Sequence, residues 1–282
     1  MNFLEITRDK RFSPNMQKKD RDIIDDVAKI LVGKGHQVKC IDENEFVTSH
    51  EADSLQQCDA IFTMLRSEEA LMALEFQQSR NVIAMNPAKG IKNAERKLIT
   101  KLMADNGIHL PPTSFNLDYS DLKDCKFPCW IKRGEGWAQD KNDVIFVENE
   151  NEAMDALKTL KEKYTQGTVM AVKHIKGDLL KFYGVEGTDF FFVYYPDVNN
   201  TKFGMETING KQQKFSFNAE KLKNECNKIA HISKIYVYGG DCIVTPDGDF
   251  YIIDFNDWPS FSPCRQQAAK AIANRLLTEI NK

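Results

Sequence analysis

Near its C-terminal end the sequence runs YGGDCIVTPDGDFYIIDFNDWP, residues 238–259, which sets carboxylates and a carboxamide inside two otherwise apolar stretches. Asp241 lies in the first stretch, and Asp254, Asn256 and Asp257 lie in the second. The two read as the strands of a β-hairpin with Asp247-Gly248 as a two-residue turn. Counting outward from that turn sets Asp241 opposite Asp254, and strand alternation places Asn256 on the same face. Two aspartates facing each other across a ladder repel. A divalent cation would offset the repulsion, and oxygen donors from carboxylates and an amide suit Mg²⁺ or Mn²⁺. Taken alone, an exposed face on which the aspartates simply meet water accounts for the same residues equally well.

A second feature tips that balance. In IKRGEGWAQDKNDVIFV a strand ends on Lys132, Gly134 and Gly136 follow in a polar loop, and another strand begins. Glycines let backbone N–H groups approach phosphate oxygens, and the lysine adds charge. Neither GxxxxGK[ST] nor a GxGxxG before a helix is present, so the familiar phosphate-loop signatures do not apply.

The elements that position these residues alternate in type. NFLEI (2–6), QVKCI (37–41), DAIFTM (59–64) and VIAMN (82–86) read as strands, separated by helices over 22–35 and 67–79, the second capped by Ser67. Strands alternating with helices imply a parallel sheet. A helix follows over 93–107 with Gly107 at its end, then a linker at HLPPT. Strands over 126–134 and 143–149, a helix over 150–164, three strands between 169 and 195, and a helix over 218–233 lead to the hairpin. The chain closes on a helix with Ser262 as N-cap and Pro263 in its first turn.

The order of these motifs resembles the ATP-grasp superfamily. The metal signature of that family, an acid on one strand and acid-x-Asn-x-x-Pro on the next, is matched by Asp241 and by DFNDWP from Asp254 to Pro259. The resemblance implies an α/β fold, α+β in the nucleotide-binding part: an N-terminal βαβ domain over 1–92, a central lid and nucleotide domain over 93–172, and a C-terminal domain over 173–282. It implies ATP and Mg²⁺ (or Mn²⁺) as cofactors, with Asp241, Asp254 and Asn256 holding the metal. It implies Lys97, Lys132, Gly134, Gly136 and Lys181 around the phosphates, a hinge at Lys173, His174 and Ile175 that holds adenine through backbone groups, and Asp178 near the ribose. Lys132 and Lys181 would carry catalysis by neutralising charge on the transferred phosphoryl group. The sequence departs from the family at Lys173, where an acid is common, at Lys181, where Arg is common, and at Asp254, which is usually Glu. Lys181 thus offers a point charge in place of a fork.

Most members of such a family join a carboxylate to an amine or a thiol through an acyl phosphate. A minority, the inositol polyphosphate kinase branch, phosphorylate hydroxyls, and a non-catalytic nucleotide-binding module is the third option. Arg8, Arg11 and Arg66 follow the first and third strands, where open parallel sheets place ligands. They are candidates for contact with a small anionic substrate; a solvated loop is the plainer account of the run RDKRFSPNMQKKDR.

Totals exclude other classes. A net charge of −3 argues against an electrostatic nucleic-acid binder. No apolar run approaches the ~20 residues that cross a bilayer, and MNFLEITRDKRF reads as a first strand and not a signal peptide. A cytoplasmic protein is the expectation. The dispersed cysteines 40, 58, 125, 129, 226, 242 and 264 form no CxxC, so buried free thiols are expected in place of a zinc site or disulfides. Oligomeric state is not legible, with a homodimer one option.

Overall fold

The structure, a computed structural model, describes residues 1–13, 17–49, 58–135, 141–165, 167–196 and 208–282. Its first sheet is parallel, in the order β2-β1-β3-β4, with β1 Asn2–Thr7, β2 Gln37–Asp42, β3 Ala60–Thr63 and β4 Ile83–Met85. Side chains alternate across it. Phe3 and Phe62 point to one layer of helices, α1 (Gln17–Gly33) and the C-terminal α8 (Arg265–Ile280). Leu4, Ile6 and Ile61 point to the other, α2 (Glu43–Ser49), α3 (Glu68–Ser79) and α4 (Ala88–Asn93). Both faces are covered, as parallel sheets require.

Two antiparallel sheets follow. One has the order β5-β8-β6-β7, from Thr113–Ser114, Val169–Lys173, Cys129–Arg133 and Val144–Val147, and packs against α6 (Glu150–Lys163) through Ala153, Leu157 and Leu160. The other has the order β10-β9-β11-β12, from Phe191–Tyr194, Asp178–Val185, Val237–Val244 and Phe250–Asp257. It packs against α5 (Arg96–Asp105) and α7 (Ala219–Ser233) through Ile99, Met103, Leu222 and Ile229. Residues 174–177 join the two sheets. Among the described residues no helix is long and apolar enough to cross a membrane.

Local departures from the sequence expectation have physical causes. The helix expected over 93–107 begins at Arg96 as α5, and a separate short helix, α4, precedes it and ends at Asn93, whose amide donates to the Ser233 carbonyl at 2.9 Å. Ser262 does not cap α8, which begins at Arg265 without a side-chain cap. The seven cysteines are free, but Cys40 is exposed and Cys58 and Cys125 half-buried.

The hairpin is the most instructive case. Thr245 N–H bonds to Asp249 O at 2.9 Å and Gly248 N–H to Thr245 O at 2.9 Å, with Gly248 at φ +85°. The connection is therefore a three-residue loop closed by a glycine in the left-handed region, not the two-residue turn expected. That change alone would slip the register by one residue. A bulge undoes it: Cys242 pairs with Ile252 but Asp241 pairs with Asp254, which leaves Ile253 as the extra residue. Asp241 does face Asp254, but through two compensating departures from the simple hairpin.

Candidate active site

β9 carries Lys181 directly across from Asp241, and β11 carries Asp241 across from Asp254 on β12. One cation and two anions thus stand in a row across three strands. Lys181 Nζ reaches Asp241 Oδ1 at 2.9 Å and Oδ2 at 3.2 Å. Asn256 lies on the same face of β12 and donates Nδ2–H to Asp254 Oδ2 at 2.9 Å. Glycine brings the strands this close: a Cβ on Gly240 would stand 2.1 Å from the Asp254 carbonyl oxygen.

These residues floor a cavity of about 480 Å³ between the two antiparallel sheets, and Lys132 and Arg96 line it from the other side. Among the described residues the Lys132 ammonium makes no hydrogen bond or ion pair. Burial in the cleft and the nearby Arg96 guanidinium push its ammonium down to about 8, against the pull of Asp254 and Asp241. Arg96 donates to the Arg133 carbonyl at 2.8 Å. Burial lowers its pKa too, opposed by Asp254 and Asp143.

Arg96 was not anticipated. The expectation fell on its neighbour Lys97, but Lys97 does not line the cavity; its ammonium stands 4.0 Å from Glu135. Helix phase decides between them. Arg96 shares a face with the buried Ile99 and Met103 at i+3 and i+7, and that face turns toward the C-terminal sheet. The same spacing was present in the sequence.

The repulsion between Asp241 and Asp254 that suggested a metal is met here by protein cations, with Lys181, Lys132 and Arg96 around the two acids. Among the described residues no group of three or more His, Cys, Asp or Glu side chains is placed to hold a metal ion. The donor set on the floor is two carboxylates and one carboxamide, which is hard-oxygen chemistry.

At the hinge, Lys173 N–H donates to Pro112 O at 2.9 Å and His174 N–H to Pro128 O at 3.0 Å. Those amides are committed, so any nucleobase contact at the two residues falls to their carbonyls. The His174 ring accepts from Trp130 Nε1–H at 3.1 Å and packs edge-on to Phe146. Desolvation depresses its pKa, as a packed ring requires. Lys173, His174 and Ile175 all line the cavity. Asp178 lines it as well, but its carboxylate accepts from the backbone N–H groups of Gln213 and Phe215 at 2.9–3.2 Å and so pins that segment. Gly134 is held next to Thr168, whose carbonyl accepts its N–H at 2.8 Å. Gly136 lies outside the described residues.

The three arginines proposed for substrate separate. Arg8 and Arg66 line the cavity. Arg66 is locked to Asp257 at 2.7 Å, the two side chains being 4 % and 0 % exposed. Arg11 does not line the cavity; it is exposed, pairs with Asp9 and rests on Phe12.

No family model matches the chain, and no curated protein matches it. Solved structures do. The D-alanine–D-alanine ligase from Bacillus anthracis superposes with a TM-score of 0.68 at 15 % identity, covering 99 % of each chain. The same ligase complexed with ATP superposes with a TM-score of 0.66 at 14 % identity, again over 99 % of each chain. The ATP-grasp ligase PsnB complexed with a minimal precursor gives 0.64 at 15 % identity over 98 % of each chain. The chain has the ATP-grasp fold from end to end.

Proposed function

We propose that the chain is an ATP-dependent ligase that activates a substrate carboxylate as an acyl phosphate for attack by an amine or a thiol. The observation that carries this reading is the cleft itself. Arg96, Lys132 and Lys181 converge on the acids of β11 and β12, in a fold shared with several solved ligases, one of them complexed with ATP.

Each residue has a role that follows from its place. Lys132, an ammonium with no partner among the described residues, and Arg96, with a fork, would meet phosphate oxygens. Lys181 would move from Asp241 to the transferred group. Asp241, Asp254 and Asn256 would hold Mg²⁺, which when bound supplies charge neutralisation at the phosphate oxygens. The terminal phosphoryl group passes to the carboxylate oxygen and ADP leaves. The amine or thiol lone pair then forms a bond to the acyl carbon, the C–O bond to phosphate breaks, and the nucleophile loses its proton. Such transfer asks mainly for positioning and electrostatic stabilisation, in keeping with a site of cations and acids and no nucleophilic triad. A cleft between two sheets also shields an acyl phosphate from water.

A screen for ADP release with purified protein, ATP and Mg²⁺ tests this. ADP is expected only when a carboxylate and an amine or thiol are supplied together. ADP driven by a polyol phosphate alone would identify a hydroxyl kinase and overturn the ligase reading.

A further inference from the structure

Residues 208–217 precede α7 in largely irregular conformation. Ile208, Asn209, Gly210 and Gln212 line the cleft beside Ile175 and Asp178. Backbone N–H groups outside regular structure need partners, and Asp178 supplies them here. Its Oδ1 and Oδ2 accept from Gln213 N–H at 3.1 and 2.9 Å, and Oδ2 accepts from Phe215 N–H at 3.2 Å. Asp178 is 5 % exposed and is the first residue of β9, paired with Val244 on β11. It is therefore a fixed post. Two side chains add ties: Asn209 Nδ2–H donates to Ile175 O at 3.3 Å, and Gln212 Nε2–H to Leu179 O at 3.4 Å. Phe215 packs on the core of the C-terminal sheet, and the Tyr195 hydroxyl donates to its carbonyl.

The Asn209 tie runs on into the hinge. Its side chain also hydrogen-bonds to the His174 ring, whose Nδ1 accepts from Trp130 Nε1–H at 3.1 Å. An indole only donates, so the imidazole stays neutral with its proton on Nε2. Trp130 on β6, His174 and Asn209 thus form one chain that ends on the Ile175 carbonyl. Asp178 lies three residues before Lys181 on β9, roughly 10 Å along the strand, so these ties gather at the end of the cleft away from Lys181 and Asp241. A carboxylate has about four lone-pair sites, and Asp178 spends three on the backbone of 213–215.

We infer that Asp178 is a positioning residue: with Asn209 it holds residues 208–215 as a strap that walls the nucleoside end of the cleft, and it does not read the ribose hydroxyls. The inference rests on the nucleotide binding proposed above. Nucleotide affinity then depends on the ties of the strap, and loss of a tie weakens ribo- and deoxyribonucleotides alike.

Two measurements on the full chain test this. Limited digestion with trypsin, its fragments mapped by mass, follows cleavage after Lys211 and Lys214, both within the strap. Asp178→Ala is expected to speed cleavage at these two sites about tenfold or more, and Asn209→Ala about threefold, with other sites unchanged. Titration calorimetry with Mg²⁺ follows binding of ADP, 2′-deoxy-ADP and 3′-deoxy-ADP. Asp178→Ala should weaken all three by one common factor of about 5 to 20, and Asp178→Glu should recover part of the loss. Should Asp178→Ala fail to fold, the half-buried Asn209 carries the same test through Asn209→Ala, with a common factor of about 3. A deoxy analogue bound about tenfold more weakly than ADP by the wild type but equally by Asp178→Ala would make Asp178 a ribose ligand and overturn the inference. So would unchanged cleavage at Lys211 and Lys214, or unchanged ADP affinity in a variant whose strap is cut faster. A wild-type protein that binds none of the three nucleotides would overturn the nucleotide reading itself, so the two failures are distinct.

Discussion

Asp254→Asn is expected to lower ADP release at least ~100-fold while the protein stays folded. The substitution keeps the shape of the side chain and removes the charge that faces the cleft from β12. With it goes the attraction that Asp254 exerts on both Arg96 and Lys132, and one of the two carboxylates proposed to hold Mg²⁺. The effect on stability is small because two changes oppose each other. Loss of attraction to the cations costs free energy, and loss of the cross-strand repulsion with Asp241 returns some. Steady-state ADP release and urea unfolding, measured on the same preparation, check both halves. Wild-type turnover in a folded Asp254→Asn protein would contradict the role given to β12.

Arg66→Ala is expected to destabilise the protein by about 3–5 kcal/mol. Arg66 and Asp257 form a bridge between the end of the parallel sheet and the end of β12, and both are buried. Asp257 Oδ2 takes the bond from Arg66, and Asp257 Oδ1 is buried without a hydrogen-bond partner among the described residues. Truncating the arginine strands a buried carboxylate. Replacing both, as Arg66→Met with Asp257→Leu, should recover a large part of the loss, because the penalty comes from the unpaired charge and not from the missing bridge. Urea denaturation of Arg66→Met, Asp257→Leu and the double variant gives the cycle, beside Arg66→Ala. A loss below about 1 kcal/mol for Arg66→Ala would mean that Asp257 finds water or another donor.

Much of the architecture is legible because period-2 and period-3.6 patterns are strong in this chain. The four parallel strands, the strands of the later part and the cap at Ser67 follow from them. The facing of Asp241 and Asp254 is legible only in outcome. A sequence does not show whether Pro246-Asp247-Gly248 makes two or three loop residues, nor that Ile253 bulges. The presence of Arg96, and not Lys97, in the cavity lining is different in kind: the helical spacing to Ile99 and Met103 is visible in the sequence. The basic run over 8–21 misleads because it records charge and not company. Asp20 meets Arg8 and Asp257 meets Arg66 only in three dimensions.

The central claim is that the cleft between the antiparallel sheets takes the triphosphate of ATP on Arg96, Lys132 and Lys181. Titration calorimetry with a non-hydrolysable ATP analogue and Mg²⁺ tests it most directly. The account predicts one saturable site per chain, weakened about 10- to 100-fold by Arg96→Gln and by less than about threefold by Lys97→Gln. Absence of binding to the wild-type protein, or a greater loss from Lys97→Gln than from Arg96→Gln, would contradict it.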